Sequence, residues 1–257
     1  MNYSHNNTRK DRQKEHEMIF GIHPISEALK KGVEIEKVFI QQGGGDPKSV
    51  EIKKRLVQLE IPFLYVPREK LDKLTRSNHQ GLIAFLSPIS FSPLEEIVNR
   101  SFEEGKNPFL LMLDRVTDVR NFGAICRTAE CFGIDAVIVP ARGSARIGGD
   151  AVKTSAGALM HLPICRSQNL KETIDYLKNS GIRLIGITEK SNDKLSSLPL
   201  DGPLCLILGS EEDGISPEYL KKCDLKAGIP MKGNTTSLNV SVAASIAMYE
   251  VVSQREN

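Results

Sequence analysis

Residues 113–133 read LDRVTDVRNFGAICRTAECFG. Their left end closes NPFLLMLDRV (107–116), an apolar run that reads as a strand, and NFGAICRTAECFG (121–133) reads as an amphipathic helix. Phe122, Ile125, Ala129 and Phe132 share one face at helical spacing. At about 100° per residue, Arg127 falls roughly 140° from Phe122, away from that stripe. Asn121 stands where a side chain can cap the helix by accepting from its free first-turn amides. The polar run 114–121 between strand and helix lies at a strand's carboxyl end, the place where open α/β sheets bind ligands.

The alternation continues on both sides. Downstream come a strand IDAVIVP (134–140), a helical GDAVKTSAGALM (149–160), an extended HLPICR (161–166) and a helix NLKETIDYLKNSG (169–181). The strands IRLIGIT (182–188) and PLCLILG (203–209), a helix SPEYLKKC (216–223), a short strand LKAGIPM (225–231) and a long last helix from residue 237 to 254 follow. Strands that are continuous apolar runs fit a parallel sheet covered on both faces. Upstream lies a smaller α/β pattern: ISEALKKG and SVEIKKRLVQLE as helices, KVFIQ, PFLYV and GLIAFLS as strands, and EKLDKLTR as a short helix. The segment SFSPLEEIVNRSFEEGKN (90–107), with one short amphipathic piece, reads as a connection between two domains, and residues 1–16 as a disordered polar tail. The triple glycine at 43–45 reads as a flexible turn, because no GK[ST] or GxGxxG frame accompanies it.

Composition narrows the class. The chain has 257 residues, of which 40% are apolar and 26% charged, with net charge +2. No stretch approaches the roughly 20 apolar residues of a membrane helix, and the start lacks the apolar core of a signal peptide. Both point to the cytoplasm. Residues 1–92 hold 15 Lys/Arg against 11 Asp/Glu, and residues 93–257 hold 19 against 21. The mildly basic front can face RNA or be ordinary solvated charge, and charge alone does not decide. Cys126, Cys131, Cys165, Cys205 and Cys223 form no CxxC pair and read as buried reduced thiols, so neither a disulfide frame nor a metal site is expected.

Two further segments put polar residues where the fold prefers apolar ones. In LCLILGSEEDGIS (204–216) a strand runs into Gly209 and a tight acidic loop, where Glu211 and Glu212 repel a phosphate and suit a neutral or cationic ligand. In GIPMKGNTTSLNVSVAASIAMYE (228–250) a Gly-Asn-Thr-Thr-Ser loop enters the last helix, with Ser237 as its N-cap and Asn239 beside it, near free amides.

Together these segments resemble the three motifs of the SpoU-type (TrmH family) RNA ribose 2′-O-methyltransferases of the SPOUT superfamily. Asn-x-Gly-x-x-x-Arg stands as Asn121, Gly123 and Arg127; Leu-Gly-x-Glu-x-x-Gly as Gly209, Glu211 and Gly214; Ile-Pro-Met and Ser-Leu-Asn-Val-Ser as residues 229–231 and 237–241. Glu212 departs from the glycine common in relatives. The resemblance implies an α/β fold: a C-terminal α/β knot, a trefoil-knotted parallel sheet over residues 108–257, preceded by a ribosomal-protein-L30e-like substrate-binding domain over 17–90 and a linker over 91–107. It implies S-adenosyl-L-methionine as cofactor, held by Thr188, Gly209, Ile229 and Leu238, and no metal. Asn121, Arg127, Glu211, Ser237 and Asn239 are implied as the catalytic set.

Arg127 is expected to clamp the phosphate beside the target ribose, since a guanidinium forks well onto phosphate and is a poor base. Glu211, Ser237 and Asn239 are expected to orient Arg127 and the ribose, and Asn121 to fix its loop. The resemblance also implies a homodimer, packed through the small residues Ser241, Ala244 and Ser245, acting on RNA. A guanosine of large-subunit ribosomal RNA is the expected substrate and transfer RNA the alternative. A non-catalytic RNA-binding dimer would not need these polar residues, and a dinucleotide-dependent oxidoreductase would need a GxGxxG that residues 113–123 lack.

Overall fold

The computed structural model describes residues 18–43, 47–59 and 61–256. The expected disordered tail and two of the three consecutive glycines lie outside these residues. The chain divides into two compact units between Pro88 and Ile89.

Among the described residues the first unit is a four-stranded sheet in the order β1-β4-β2-β3: β1 (Met18–Phe20), β2 (Ile35–Gln41), β3 (Phe63–Val66) and β4 (Leu82–Leu86). β4 runs antiparallel to β1 and β2, and β2 parallel to β3. Successive side chains of a strand point to opposite faces, and the core follows that rule. Val38, Ile40, Leu82 and Ala84 pack with Ile25 and Leu29 of α1 (Ile22–Lys30) and Ile52 and Leu56 of α2 (Pro47–Gln58). Phe39, Ile83 and Phe85 pack instead with Leu71 of α3 (Arg68–Leu74).

The second unit carries, among the described residues, a six-stranded, wholly parallel sheet in the order β10-β8-β9-β5-β6-β7. Its strands are β5 (Phe109–Leu113), β6 (Ala136–Pro140), β7 (Ile164–Ser167), β8 (Arg183–Ile187), β9 (Leu204–Leu208) and β10 (Leu225–Ala227). The apolar runs are sorted between two cores by parity. Phe109, Leu111 and Leu113 of β5 and Leu204, Leu206 and Leu208 of β9 meet α5 (Val119–Cys131), α6 (Gly149–Thr154) and α9 (Val240–Glu256). Leu110, Met112, Cys205 and Ile207 meet α4 (Leu94–Glu103), α7 (Leu170–Asn179) and α8 (Pro217–Lys222). The chain steps from β5 outward to β6 and β7, then returns to place β9 on the other side of β5. The order therefore reverses between β5 and β9, and a crevice opens at their carboxyl ends, where an open sheet binds ligands.

Three sequence expectations change here. The 91–107 stretch is no bare linker: α4 forms within it, and its Leu94, Ile97, Val98 and Ser101 are buried in the second unit at helical spacing. The short amphipathic piece read there is this helix; composition does not say that it packs into one unit instead of only joining two. The helix after β5 starts at Val119 and is capped by Asp118, not Asn121. The last helix starts at Val240 with Asn239, not Ser237, as its cap: the Asn239 side chain accepts from Ser241 N at 2.9 Å and its carbonyl accepts from Ala243 N.

Ile97 is 4% exposed. Ile97→Ala is expected to cost about 2–4 kcal/mol in chemical denaturation; a change near zero would restore the linker reading.

Candidate active site

Four loops meet at the carboxyl end of the sheet. The loop after β5 holds Asp114, whose side chain is 1% exposed, followed by Arg115. Asp118 then accepts from Asn121 N at 2.8 Å, which satisfies the first turn of α5 and leaves the Asn121 side chain to reach across the crevice. It does so in two directions. Asn121 Nδ2 donates to Glu211 Oε1 at 2.6 Å, and Asn121 Oδ1 accepts from Asn239 Nδ2 at 3.1 Å. Asn239 Oδ1 in turn accepts from the Ser241 amide and hydroxyl. A single chain of hydrogen bonds thus joins residues 90 and 118 positions apart. One member of each sequence motif takes part.

The glycines of the motifs have steric reasons. A Cβ on Gly123 would stand 2.1 Å from Thr154 Oγ1 and 2.9 Å from Ser155 N, so α5 packs on α6 only without a side chain there. A Cβ on Gly209 would stand 1.8 Å from the Gly214 carbonyl carbon, because the acidic loop doubles back on itself. The Ser210 and Gly214 backbones exchange two hydrogen bonds across that turn, and Gly214 takes φ 69°.

Beside the hydrogen-bonded chain lies a cleft of about 330 Å³, lined by Thr188, Gly209, Glu211, Ile229, Ser237 and Leu238 among others. All four expected cofactor residues line it, together with two of the catalytic set. Asn121 and Asn239 stand behind Glu211, outside the lining. Arg127 also lies outside it, exposed on α5, and its side chain makes no hydrogen bond or ion pair among the described residues. The expected contacts of Glu211, Ser237 and Asn239 with Arg127 are therefore not formed; Glu211 and Asn239 bond Asn121 instead. The loop after β5 and the acidic loop place these groups one behind the other, so Asn121, in the first turn of α5, reaches Glu211 before Arg127 does.

Sequence reading missed Arg115 and Asp213, joined at 3.1 Å across 98 positions, a separation that leaves no local signal. It also missed Glu189 and Lys190, which line the cleft after β8. Asp118 was findable, since an Asp three residues before Asn121 fits an N-cap. The small residues of the last helix are reassigned. Ala244 is fully buried in the subunit's own core, and Ser245 Oγ donates to Thr128 Oγ1 of α5 at 3.3 Å, so they serve α5–α9 packing within the chain.

Among the described residues no group of three or more His, Cys, Asp and Glu is placed to hold a metal ion, and no helix is long and apolar enough to cross a membrane. Cys126, Cys165, Cys205 and Cys223 are buried as expected, whereas Cys131 is exposed at the end of α5. Burial pushes the Cys165 thiol up to about 12 and the Cys223 thiol to about 11, and raises Cys126 and Cys205 as well.

A parallel α/β unit with a reversal crevice, a glycine-shaped acidic loop and a polar chain across three loops defines a small-molecule-dependent enzyme domain, with a separate α/β unit in front. Residues 108–249 match the SpoU rRNA Methylase family, and residues 18–92 match the family described as RNA 2′-O ribose methyltransferase substrate binding. The chain belongs to the SpoU/TrmH family of RNA methyltransferases. A Staphylococcus epidermidis protein assigned to the TrmH family of tRNA/rRNA methyltransferases is 36% identical over 238 residues, covering 93% of this chain and 96% of its own. The AdoMet-bound rRNA methyltransferase of Sinorhizobium meliloti shares the fold (TM-score 0.60, 23% identity, 96% of this chain and 91% of that one). The TrmH/SpoU tRNA modifying enzyme of A. aeolicus matches 63% of this chain and 84% of its own, with TM-score 0.54 and 30% identity.

Only a thiolate alkylates readily. Iodoacetamide at pH 8 is therefore expected to label Cys131 alone in the folded protein and all five cysteines after unfolding, counted by intact mass. Labelling of two or more thiols in the native state would contradict the burial described.

Proposed function

We propose that this chain methylates a ribose 2′-hydroxyl of RNA, with S-adenosylmethionine as methyl donor and a guanosine of large-subunit ribosomal RNA as substrate. The observation that carries the reading is the Glu211–Asn121–Asn239 chain at the lip of the cleft. A volume of about 330 Å³ lies within the range of small-molecule sites. The lining is chemically apt: backbone from Gly209 and Ile229 for a neutral adenosine, and the carboxylates of Glu189, Glu211 and Glu212 for a cationic ligand. When bound, S-adenosylmethionine supplies an electrophilic methyl group on a sulfonium.

The protein's own part is positioning. Thr188, Gly209, Ile229 and Leu238 hold the cofactor. Arg127, exposed and unpaired, holds the phosphate beside the target ribose through its planar fork. Glu211, fixed by Asn121, and Ser237 orient the ribose hydroxyl, while Asn239 fixes Asn121 from the other side. Bringing the hydroxyl and the methyl donor into line is the main source of rate, because the sulfonium is already a good leaving group.

Ribosomal RNA is favoured by layout. The rRNA methyltransferase of S. meliloti shares both units, whereas the tRNA enzyme of A. aeolicus matches little beyond the catalytic one. The working unit is a cytoplasmic homodimer. α9 is apolar on both sides: Val240, Ala244, Ala247, Met248 and Val251 are buried, while Val242, Ile246 and Tyr249 stand 46%, 39% and 60% exposed. A helix apolar all round needs a second covering surface, and this outer stripe replaces the small residues as the contact between subunits. The C-terminal segment threads through a loop of the chain as a knot. Gly228, just past β10, is bracketed on one side by Asp193 and on the other by Leu195, both in the β8–β9 connection.

Ribose-methylation mapping by mass spectrometry, in a strain lacking this protein, is expected to show loss of one 2′-O-methylguanosine from large-subunit rRNA. An unchanged rRNA profile with a lost tRNA methylation would overturn the substrate. Arg127→Ala is expected to lower methyl transfer by about 100-fold or more while calorimetric S-adenosylmethionine affinity stays within about threefold. Lost affinity with normal turnover at saturation would remove Arg127 from this role.

A further inference from the structure

We propose that Arg115 is the positioning residue of the cofactor cleft, a staple that presets the acidic loop before the cofactor arrives. The inference rests on reading the cleft as the S-adenosylmethionine site.

Arg115 directly follows Asp114 at the end of β5 and takes φ 60°, a left-handed conformation that an L residue with a large side chain adopts only under constraint. Its guanidinium shows the constraint. Nε and Nη2 fork onto the two carboxylate oxygens of Asp114 at 2.9 and 3.2 Å. Nη1 reaches Asp213 Oδ2 at 3.1 Å, and Nη2 also donates to the Gly214 carbonyl at 3.2 Å. Asp114, almost wholly buried, accepts in addition from Ser216 N at 2.7 Å. Asp213, Gly214 and Ser216 are thus tied to the end of β5 through one buried carboxylate and one guanidinium.

The same loop forms one wall of the cleft: residues 209–214 all line it, and Arg115 does not. Arg115 therefore acts through the loop. It also offsets a local charge problem: Glu211, Glu212 and Asp213 are consecutive carboxylates, and Glu189 faces the same cleft. Like charges so close repel, and neutralising Asp213 lets the loop fold back tightly enough for Gly209 to press on Gly214. A lysine is a point donor and cannot fork onto Asp114 while reaching Asp213 and a carbonyl together.

The test is calorimetric titration of the full-length protein with S-adenosylmethionine. Arg115→Ala is expected to weaken binding by about tenfold or more and Arg115→Lys by less, because a lost charge-assisted contact is felt on this scale. Arg115→Gly is the decisive variant. Glycine adopts φ 60° freely, so it should be more stable than Arg115→Ala, in which the strained φ persists, although both leave buried Asp114 without its partner; affinity should drop equally in the two. That split between stability and affinity is one a merely structural arginine would not give. Asp213→Asn, on the exposed loop, reads the same contact from its other end and should show a smaller loss that is not additive with Arg115→Ala. Wild-type affinity, within twofold, in Arg115→Gly and Asp213→Asn would overturn the staple. Failure of the wild type itself to bind S-adenosylmethionine would instead overturn the reading of the cleft on which it rests.

Discussion

The site depends on one carboxamide. Asn121 donates to Glu211 and accepts from Asn239, and in doing so fixes the distance between the loops that follow β5, β9 and β10. These bonds lie at an exposed surface, where each contributes only about 0.5–1.5 kcal/mol, little beside the many buried apolar side chains at about 1.5–3 kcal/mol apiece. Their contribution is to geometry rather than to the folding free energy. An amide that donates with one end and accepts with the other is the side chain that can join a carboxylate to a second amide. An aspartate could only accept at both ends, and a leucine could do neither.

The fold makes this economical arrangement available. Because β5 and β9 are parallel neighbours on either side of the reversal in strand order, their C-terminal loops emerge side by side, and Asp114 N bonds the Leu208 carbonyl at the point where both strands end. β8 and β10 bring their loops to the same edge. The two apolar cores that pack the sheet between its helices lie below, so the loops can carry polar and strained residues without disturbing the packing. Arg115 at φ 60° and the acidic turn pressed on Gly209 sit in that permissive zone.

Much of this was legible in the residues. Continuous apolar runs such as FLLML and LCLIL announce strands buried on both faces, and in the structure alternate residues of each feed opposite cores. The motif asparagines, glycines and Glu211 could be named because the three motifs together resemble those of a known family; taken singly, each reads as an ordinary cap, turn or loop charge. What stayed hidden depended on partners far away in sequence. The Arg115–Asp213 pair links loops 98 positions apart, and nothing near either residue marks it. The caps were misplaced by a few residues because Asp118 and Asn121, or Ser237 and Asn239, are equally good capping types, and only backbone geometry separates them. The small residues of α9 were read as a surface between subunits, since a stripe of alanine and serine does not say which neighbour it admits; the neighbour is α5 of the same chain. The amphipathic piece that is α4 was visible likewise, but not that it packs into the second unit, since its apolar stripe is flanked by acidic and turn-forming residues.

Amide hydrogen exchange followed by mass spectrometry, with and without S-adenosylmethionine, tests most directly whether loops distant in sequence converge on one methyl-donor site. Protection should appear together in residues 187–190, 208–214 and 228–240, with the four-stranded front unit unchanged. Protection confined to a single one of these segments, or centred on the ends of β6 and β7, would contradict it.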